Sequence, residues 1–293
     1  MRRIMEFLFW LSSLLPWRAV AAVGKVIGFL LHRVIRFRRR RIRRHLQWAF
    51  PELSRRERGR LLRKVYNHFG LLLLEMLRLP RQSNHDLCAN SDLVGEENLR
   101  AALSKNRGVF LLAGHLGNWE AALASLAARG YKVAAVTKEI THGTGQYVAD
   151  RMRKSHGILA IHRHQAIRPI RKMLRQGGCV AFVLDQNATR SQGVFVNFFG
   201  RRACTMSGLA VLARRYQVPV LPGFSYRDSR GRNCLRILPE VPWQEPPEGE
   251  TNAAIRHNTQ LYTNILEQGI REHPEQWLWM HGRWRTQPKP ETN

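Results

Sequence analysis

Carboxylates are scarce in this sequence. Its 293 residues carry 21 Asp and Glu against 48 Lys and Arg, giving a formal charge of +27 and a pI near 11.4. Cysteine is thin as well. Cys88, Cys179, Cys204 and Cys234 stand far apart without a CxxC pair, which argues against a zinc cage and a disulfide framework and fits a reducing compartment. No internal repeat is visible. A hydrophobic share of 44% and eight Trp exclude an intrinsically disordered or collagen-like chain. What remains is a basic globular protein with enough chain for one large domain or two small ones. Its charge points to an anionic partner: nucleic acid, a membrane surface or an acidic protein.

The N-terminus bears on that choice. Residues 4–31 are apolar but interrupted by Glu6, Pro16, Arg18 and Lys25, and the longest uncharged run, Phe7 to Trp17, is 11 residues. That is short of the roughly 20 that span a bilayer. No clear small-x-small site marks a secretory leader. Eight arginines follow between Arg33 and Arg44, the polybasic signature of a cytoplasmic leaflet. Residues 1–35 are therefore expected to form a membrane-anchoring helix, spanning or interfacial, ahead of a folded domain over 36–287 and a frayed tail over 288–293. A buried core helix with a solvated charge run is the plain alternative. An RNA-binding arm is disfavoured, because only Phe37 and Trp48 lie near the arginines to stack bases.

Further along, Ser54 and Glu57 form a capping box opening a helix to about Leu79, where Pro80 stops it. A short helix is expected over 95–106. Apolar runs at 109–113, 133–136, 158–161, 179–184, 218–224 and 233–238 read as strands. Helical segments at 119–129, 144–156, 165–176, 205–216 and 252–273 alternate with them, and 242–250 reads as a surface loop. The expected fold is α/β: a mixed open sheet with helices on both faces.

His115 follows a buried strand, and Glu120 opens the next helix. Five residues do not share a helix face, so the two meet only if His115 sits in the loop before the helix. Gly114 and Gly117 permit that path, and Asn118 can cap the helix. Glu120 would then hold one imidazole nitrogen and leave the other as a base. Alternatively, His115 is a core histidine beside an incidental helix-start carboxylate.

Gly114-His-Leu-Gly-Asn-Trp-Glu120 resembles the signature of the lipid A biosynthesis acyltransferases, the late acyltransferases of lipopolysaccharide assembly. Four more blocks are similar: Ala49-Phe-Pro-Glu52 with Glu57-Arg58; Asp185-Gln186-Asn187; Gly193 to Gly200 with Ala203 and Thr205; and His273 to His281 with Arg283-Trp284. The resemblance runs from about residue 10 to 286. Asn197 departs from the pattern, where the family more often has Pro, and a local loop change is expected there. The resemblance implies a glycerol-3-phosphate acyltransferase-like fold. It also implies acyl transfer from an acyl carrier protein thioester to a hydroxyl of a lipid A precursor, at the cytoplasmic face of the inner membrane. His115 would act as the base and Glu120 would orient it. No Ser or Cys sits beside His115, which favours direct transfer over an acyl-enzyme. Backbone around Gly117 and Asn118 would supply oxyanion donors. Arg153 would grip an acceptor phosphate or simply be solvated. Asp185 would orient Arg153, line the pocket, or serve a turn or cap. No metal, cofactor or nucleic acid is implied. Other acceptors (a lysophospholipid, an aminolipid, a phosphatidylinositol mannoside) and a non-catalytic basic binding protein are competing readings.

Overall fold

In the computed structural model, which describes residues 2–138, 143–246 and 250–288, the chain opens with two short helices, α1 (Arg2–Ser13) and α2 (Trp17–Phe29). A π turn over Leu30–Val34 leads to α3 (Arg39–Ala49). The long α4 (Arg55–Arg78) starts at the Ser54–Glu57 capping box, and α5 (Asn84–Ala89) at another formed by Ser83 and Asp86. Next come β1 (Ser91–Val94), α6 (Glu96–Leu103), β2 (Val109–Ala113), α7 (Trp119–Ala128), β3 (Val133–Thr137), α8 (Gly143–Ser155) and β4 (Leu159–His162). The chain continues through α9 (Ile167–Arg175), β5 (Cys179–Val183), β6 (Gly193–Phe198), β7 (Arg201–Met206) and α10 (Gly208–Tyr216). It closes with β8 (Val220–Arg227), β9 (Asn233–Ile237) and α11 (Thr251–Glu272).

Seven strands form one sheet in the order β1-β9-β8-β2-β5-β3-β4, parallel except where β8 meets β9. The expected mixed open sheet is what the chain builds. Alternate residues of its central strands enter cores on opposite faces: Phe110, Leu112, Val180 and Phe182 on one side, Val109, Leu111, Cys179 and Ala181 on the other. A strand buried on both faces reads as an unbroken apolar run, which is why 109–113 and 179–183 are visible in the sequence. The first core is covered by α3, α4, α9, α10 and α11, and the second by α5 to α8.

Two expectations for the N-terminal half change. Residues 1–35 do not form one anchoring helix. The chain breaks between Ser13 and Trp17, where Pro16 lacks the N–H that a continuous helix needs. Among the described residues, no helix is long and apolar enough to cross a membrane. Both helices dock on the rest of the chain instead. Gly24 and Gly28 of α2 cross α4 at Gly70 so closely that a Cβ on Gly70 would sit 2.2 Å from the Gly24 carbonyl oxygen and 2.5 Å from the Gly28 nitrogen. Glu6 of α1 accepts hydrogen bonds from Tyr147 and Arg151 of α8, both at 2.8 Å.

The arginine run is likewise ordered. Its second half is α3, which buries Ile42, His45, Leu46 and Ala49 and turns its arginines outward. Residues 193–206 form a β6–β7 hairpin with Asn197 opposite Arg202, so Asn197 lies in a strand and not in an altered loop. Its N–H donates to Gln260 Oε1 at 2.7 Å, a bond that Pro could not make. Most of the expected tail, and residues 247–249 of the expected surface loop, lie outside the described residues.

Candidate active site

β2 and β5 lie side by side with Ala113 opposite Val183, and the Leu184 N–H extends the ladder to the Ala113 carbonyl. Two residues past each strand, His115 and Asp185 therefore leave the sheet at the same level. They stand at the carboxyl end of the strands, where α/β sheets place their sites.

Asp185 Oδ2 accepts the His115 backbone N–H at 2.8 Å, and Oδ1 lies 2.8 Å from the His115 ring Nδ1. The Trp277 indole N–H donates to Oδ2 at 2.6 Å. Asp185 is 2% exposed. Burial alone pushes its pKa up and is the largest single influence. The His115 charge, its two N–H donors and the Trp277 donor together outweigh burial and hold the carboxyl down to about 2. An ionised carboxylate only accepts hydrogen bonds, so His115 Nδ1 carries a hydrogen toward Asp185 and Nε2 is the ring nitrogen left on the other side. The His115 side chain is 18% exposed.

Around Nε2 stand two more groups. The Gln186 amide nitrogen lies 3.0 Å from it, and the Trp119 ring meets the imidazole edge-on at 4.7 Å between centroids. Gln186 is held in turn by Arg283, which is fully buried. Arg283 donates to the carbonyls of Gln186 at 3.2 Å and Cys204 at 2.8 Å, and to the Thr205 hydroxyl. Burial draws the Arg283 pKa down to about 10, with Asp185 and Cys204 opposing, so it stays charged at neutral pH.

The remaining expected site residues are close by but partnered differently. Glu120, 4% exposed, makes no hydrogen bond to His115 among the described residues. Both its oxygens are taken by Arg153, with Nε to Oε2 at 3.1 Å and Nη2 to Oε1 at 2.5 Å. The expected His115–Glu120 bond is thus replaced by His115–Asp185, and Asp185 orients the imidazole instead of Arg153. The reason is register: the β2–β5 pairing delivers Asp185 to Nδ1, while Glu120 turns with the first turn of α7 toward α8.

Gly117 also differs from expectation. Its N–H donates to the Gln276 carbonyl at 3.1 Å, and Leu278 N–H donates to the His115 carbonyl at 3.1 Å. The C-terminal segment is therefore zipped onto the loop, and the Gly117 N–H is not free for an oxyanion. Glycine is required there, since φ is +58° and a Cβ would meet the Ser225 carbonyl oxygen at 2.5 Å. Asn118 caps α7 as expected, accepting from Ala121 N–H at 3.0 Å. Its amide donates to the buried Glu75 at 3.0 Å, which also pairs with Arg227.

Gln186, Trp277 and Arg283 were not among the expected site residues, although all three fall within blocks quoted for the resemblance. Their adjacency to Asp185 and their placement in the Trp-rich C-terminal segment were the available signals.

A buried carboxylate backing a part-exposed imidazole, at the strand ends of an α/β sheet, is the architecture of an acid–base enzyme. The chain belongs to the bacterial lipid A biosynthesis acyltransferase family, whose model it matches over residues 4–286, and it is an acyltransferase. It is 25% identical over 291 residues to the lipid A biosynthesis lauroyltransferase of Escherichia coli (strain K12), covering 96% of this chain and 90% of that protein. With the palmitoleoyltransferase of the same organism it shares 27% over 287 residues, covering 97% and 90%. With the myristoyltransferase it shares 23% over 261 residues, covering 89% and 78%.

Proposed function

We propose that the protein transfers a fatty acyl chain from an acyl carrier protein thioester to a hydroxyl of a lipid A precursor, working at the cytoplasmic face of the inner membrane. His115 Nε2 removes the proton from the acceptor hydroxyl as its oxygen attacks the thioester carbonyl carbon. The C–S bond then breaks, and the departing thiolate takes the proton back from the imidazolium. Asp185 fixes the ring and stabilises its charged form, the logic of a triad whose nucleophile is the substrate itself. The Gln186 amide, beside Nε2, donates to the carbonyl oxygen as charge develops on it.

Glu120 acts through Arg153. It holds the guanidinium along its Nε–Nη2 edge and leaves Nη1 for an acceptor phosphate. Asn118, by capping α7, keeps the loop and helix in register. The observation that carries this reading is the 2.8 Å contact between Asp185 Oδ1 and His115 Nδ1, which commits that ring nitrogen to Asp185 and leaves Nε2 for the substrate.

Membrane contact is interfacial in this reading. Among the described residues, thirteen of the seventeen exposed large hydrophobics lie between Ile4 and Phe37. Scattered surface hydrophobics are ordinary, but a patch this concentrated marks a binding surface. With the arginines behind it, the patch suits the headgroup region of a bilayer. Relatives named for lauroyl, palmitoleoyl and myristoyl transfer support the class of substrate.

The test is to incubate the purified enzyme with acyl carrier protein thioesters and lipid A precursors, and to weigh the lipids by mass spectrometry. One added acyl chain is expected, with His115→Ala slower by roughly 10²–10⁴-fold. Free fatty acid as the only product, or full activity in His115→Ala, would refute the scheme.

A further inference from the structure

Residues 31–74 carry 14 Lys and Arg and only two carboxylates, Glu52 and Glu57. Glu57 is already bound to Ser54 in the capping box. Between the π turn at Leu30–Val34, α3 and the start of α4 lies a cleft of about 440 Å³ lined by Arg33, Arg39, Arg43, Arg56, Arg60 and Arg63. No side chain of these six makes a hydrogen bond or ion pair to another residue among those described. Elsewhere this protein pairs its arginines readily, as with Arg153, Arg227 and Arg232.

Three features indicate a built site. The first is His32, 6% exposed, which lines the cleft with Nε2 unpartnered. Burial first, and then Arg39 and Arg33, push its pKa down to about 4, so a neutral imidazole stands at the cleft wall. The second is the backbone at Arg36 and Arg38, with φ of +54° and +51°. Left-handed conformations are unfavourable for a non-glycine residue, and here they turn the chain from the π turn into α3, so that its arginines face those of α4. The third is Gly59, inside α4 and on the wall of the cleft. A Cβ there would meet nothing within 4 Å, so packing does not require glycine, although glycine in a helix interior is destabilising. Its absent side chain leaves room for a ligand to reach the helix surface.

We infer that this cleft binds the phosphate headgroup of an anionic bilayer lipid, as a site separate from the acyl-transfer crevice. The inference rests on the interfacial-membrane reading above. Guanidinium forks match phosphate oxygens. A lipid is favoured over an acidic protein because the π turn that supplies His32 and Arg33 also exposes Leu30 and Val34, with Phe29 and Ile35 exposed beside it. Apolar side chains at one edge and guanidiniums at the other are what a bilayer interface presents partners for.

The test uses the full purified chain in vesicle flotation, with phosphatidylcholine alone or mixed with phosphatidylglycerol. The wild type should bind both and favour the anionic vesicles. Arg43→Gln/Arg56→Gln/Arg60→Gln should lose about a hundredfold on anionic vesicles, from about 1 kcal/mol per arginine, and nothing on phosphatidylcholine. Gly59→Leu, which keeps every charge, should lose several-fold on anionic vesicles by filling the cleft. If Gly59→Leu binds like the wild type while the triple variant fails, the attraction is diffuse and the site does not exist. If the triple variant keeps its preference for anionic vesicles and instead loses binding to acyl carrier protein, the cleft docks a protein and the lipid assignment falls. Wild-type binding that gains nothing from the anionic lipid would overturn the site while leaving the membrane reading intact. Binding to neither vesicle would overturn both.

Discussion

The crevice at the end of β2 and β5 and the layer made by α1 to α3 treat polar and apolar groups in opposite ways. In the crevice every carboxylate has partners: Asp185 accepts three N–H donors, Glu120 is gripped by Arg153, and Glu75 by Asn118 and Arg227. Where the N-terminal layer meets α4, arginines face a cleft to which no described residue brings a counter-ion, and large apolar side chains of the layer face outward. Groups satisfied within the fold hold their positions before substrate arrives, as charge stabilisation requires. Groups left unsatisfied gain most from a surface the chain does not contain. In the proposed function, the first region serves chemistry and the second attachment.

The largest effect that sharpens this contrast is on stability. The Arg153–Glu120 pair is nearly buried, with side chains 14% and 5% exposed, and removing one member strands the other. Arg153→Ala should therefore destabilise the fold by about 3–5 kcal/mol in urea titration, and Arg153→Met combined with Glu120→Leu should recover much of that. Equal stability of Arg153→Ala and wild type would show the pair to be loose. Removing a lining arginine such as Arg60 should leave the midpoint within about 0.5 kcal/mol.

Acid gives the next effect. His45 and His281 both have pKa values lowered to about 4, chiefly by burial. Each is neutral when folded and protonates near 6.5 when unfolded, so the unfolded chain binds more protons between those values. Stability should fall as pH drops from about 6.5 to about 4, by about 1.4 kcal/mol per pH unit for each histidine. Asp185, held down to about 2, adds a loss that begins below about 4. Calorimetry across that range checks the sign; a midpoint independent of pH would contradict it.

The smallest effect belongs to single apolar residues of the outer layer. Trp10, 46% exposed, should when changed to Ser reduce vesicle binding several-fold and leave the unfolding midpoint in place. A drop in the midpoint instead would mean that α1 is part of the core.

How much of this was readable in advance depends on how local the cause is. The capping box at Ser54, the doubly buried strands and the Asn118 cap are short-range, and each was legible from a few adjacent residues. The partner of His115 was not. H-x4-E places Glu120 near the histidine in the chain, but which carboxylate reaches Nδ1 is decided by strand register between residues seventy apart, and the sequence shows strands without their pairing. The anchoring helix failed for a related reason. Apolar composition was correctly seen, but Pro16 divides it, and the Gly24–Gly28–Gly70 crossing that draws α2 onto α4 appears only when the two helices are brought together. The β6–β7 hairpin is hidden because residues 193–206 show a motif without a strong turn signal that would divide them into two strands.

The central claim is that Asp185 orients the base at His115 and that Glu120 serves Arg153. Initial rates of acyl transfer by purified Asp185→Asn and Glu120→Gln, with folding checked by circular dichroism, test it most directly. Asp185→Asn should keep its fold and lose roughly 10²–10⁴-fold in kcat, because an amide can stabilise neither the tautomer nor the imidazolium; Glu120→Gln should lose far less in kcat and show its effect in KM for the phosphorylated acceptor. Near-normal kcat in Asp185→Asn beside a collapsed kcat in folded Glu120→Gln would contradict the account.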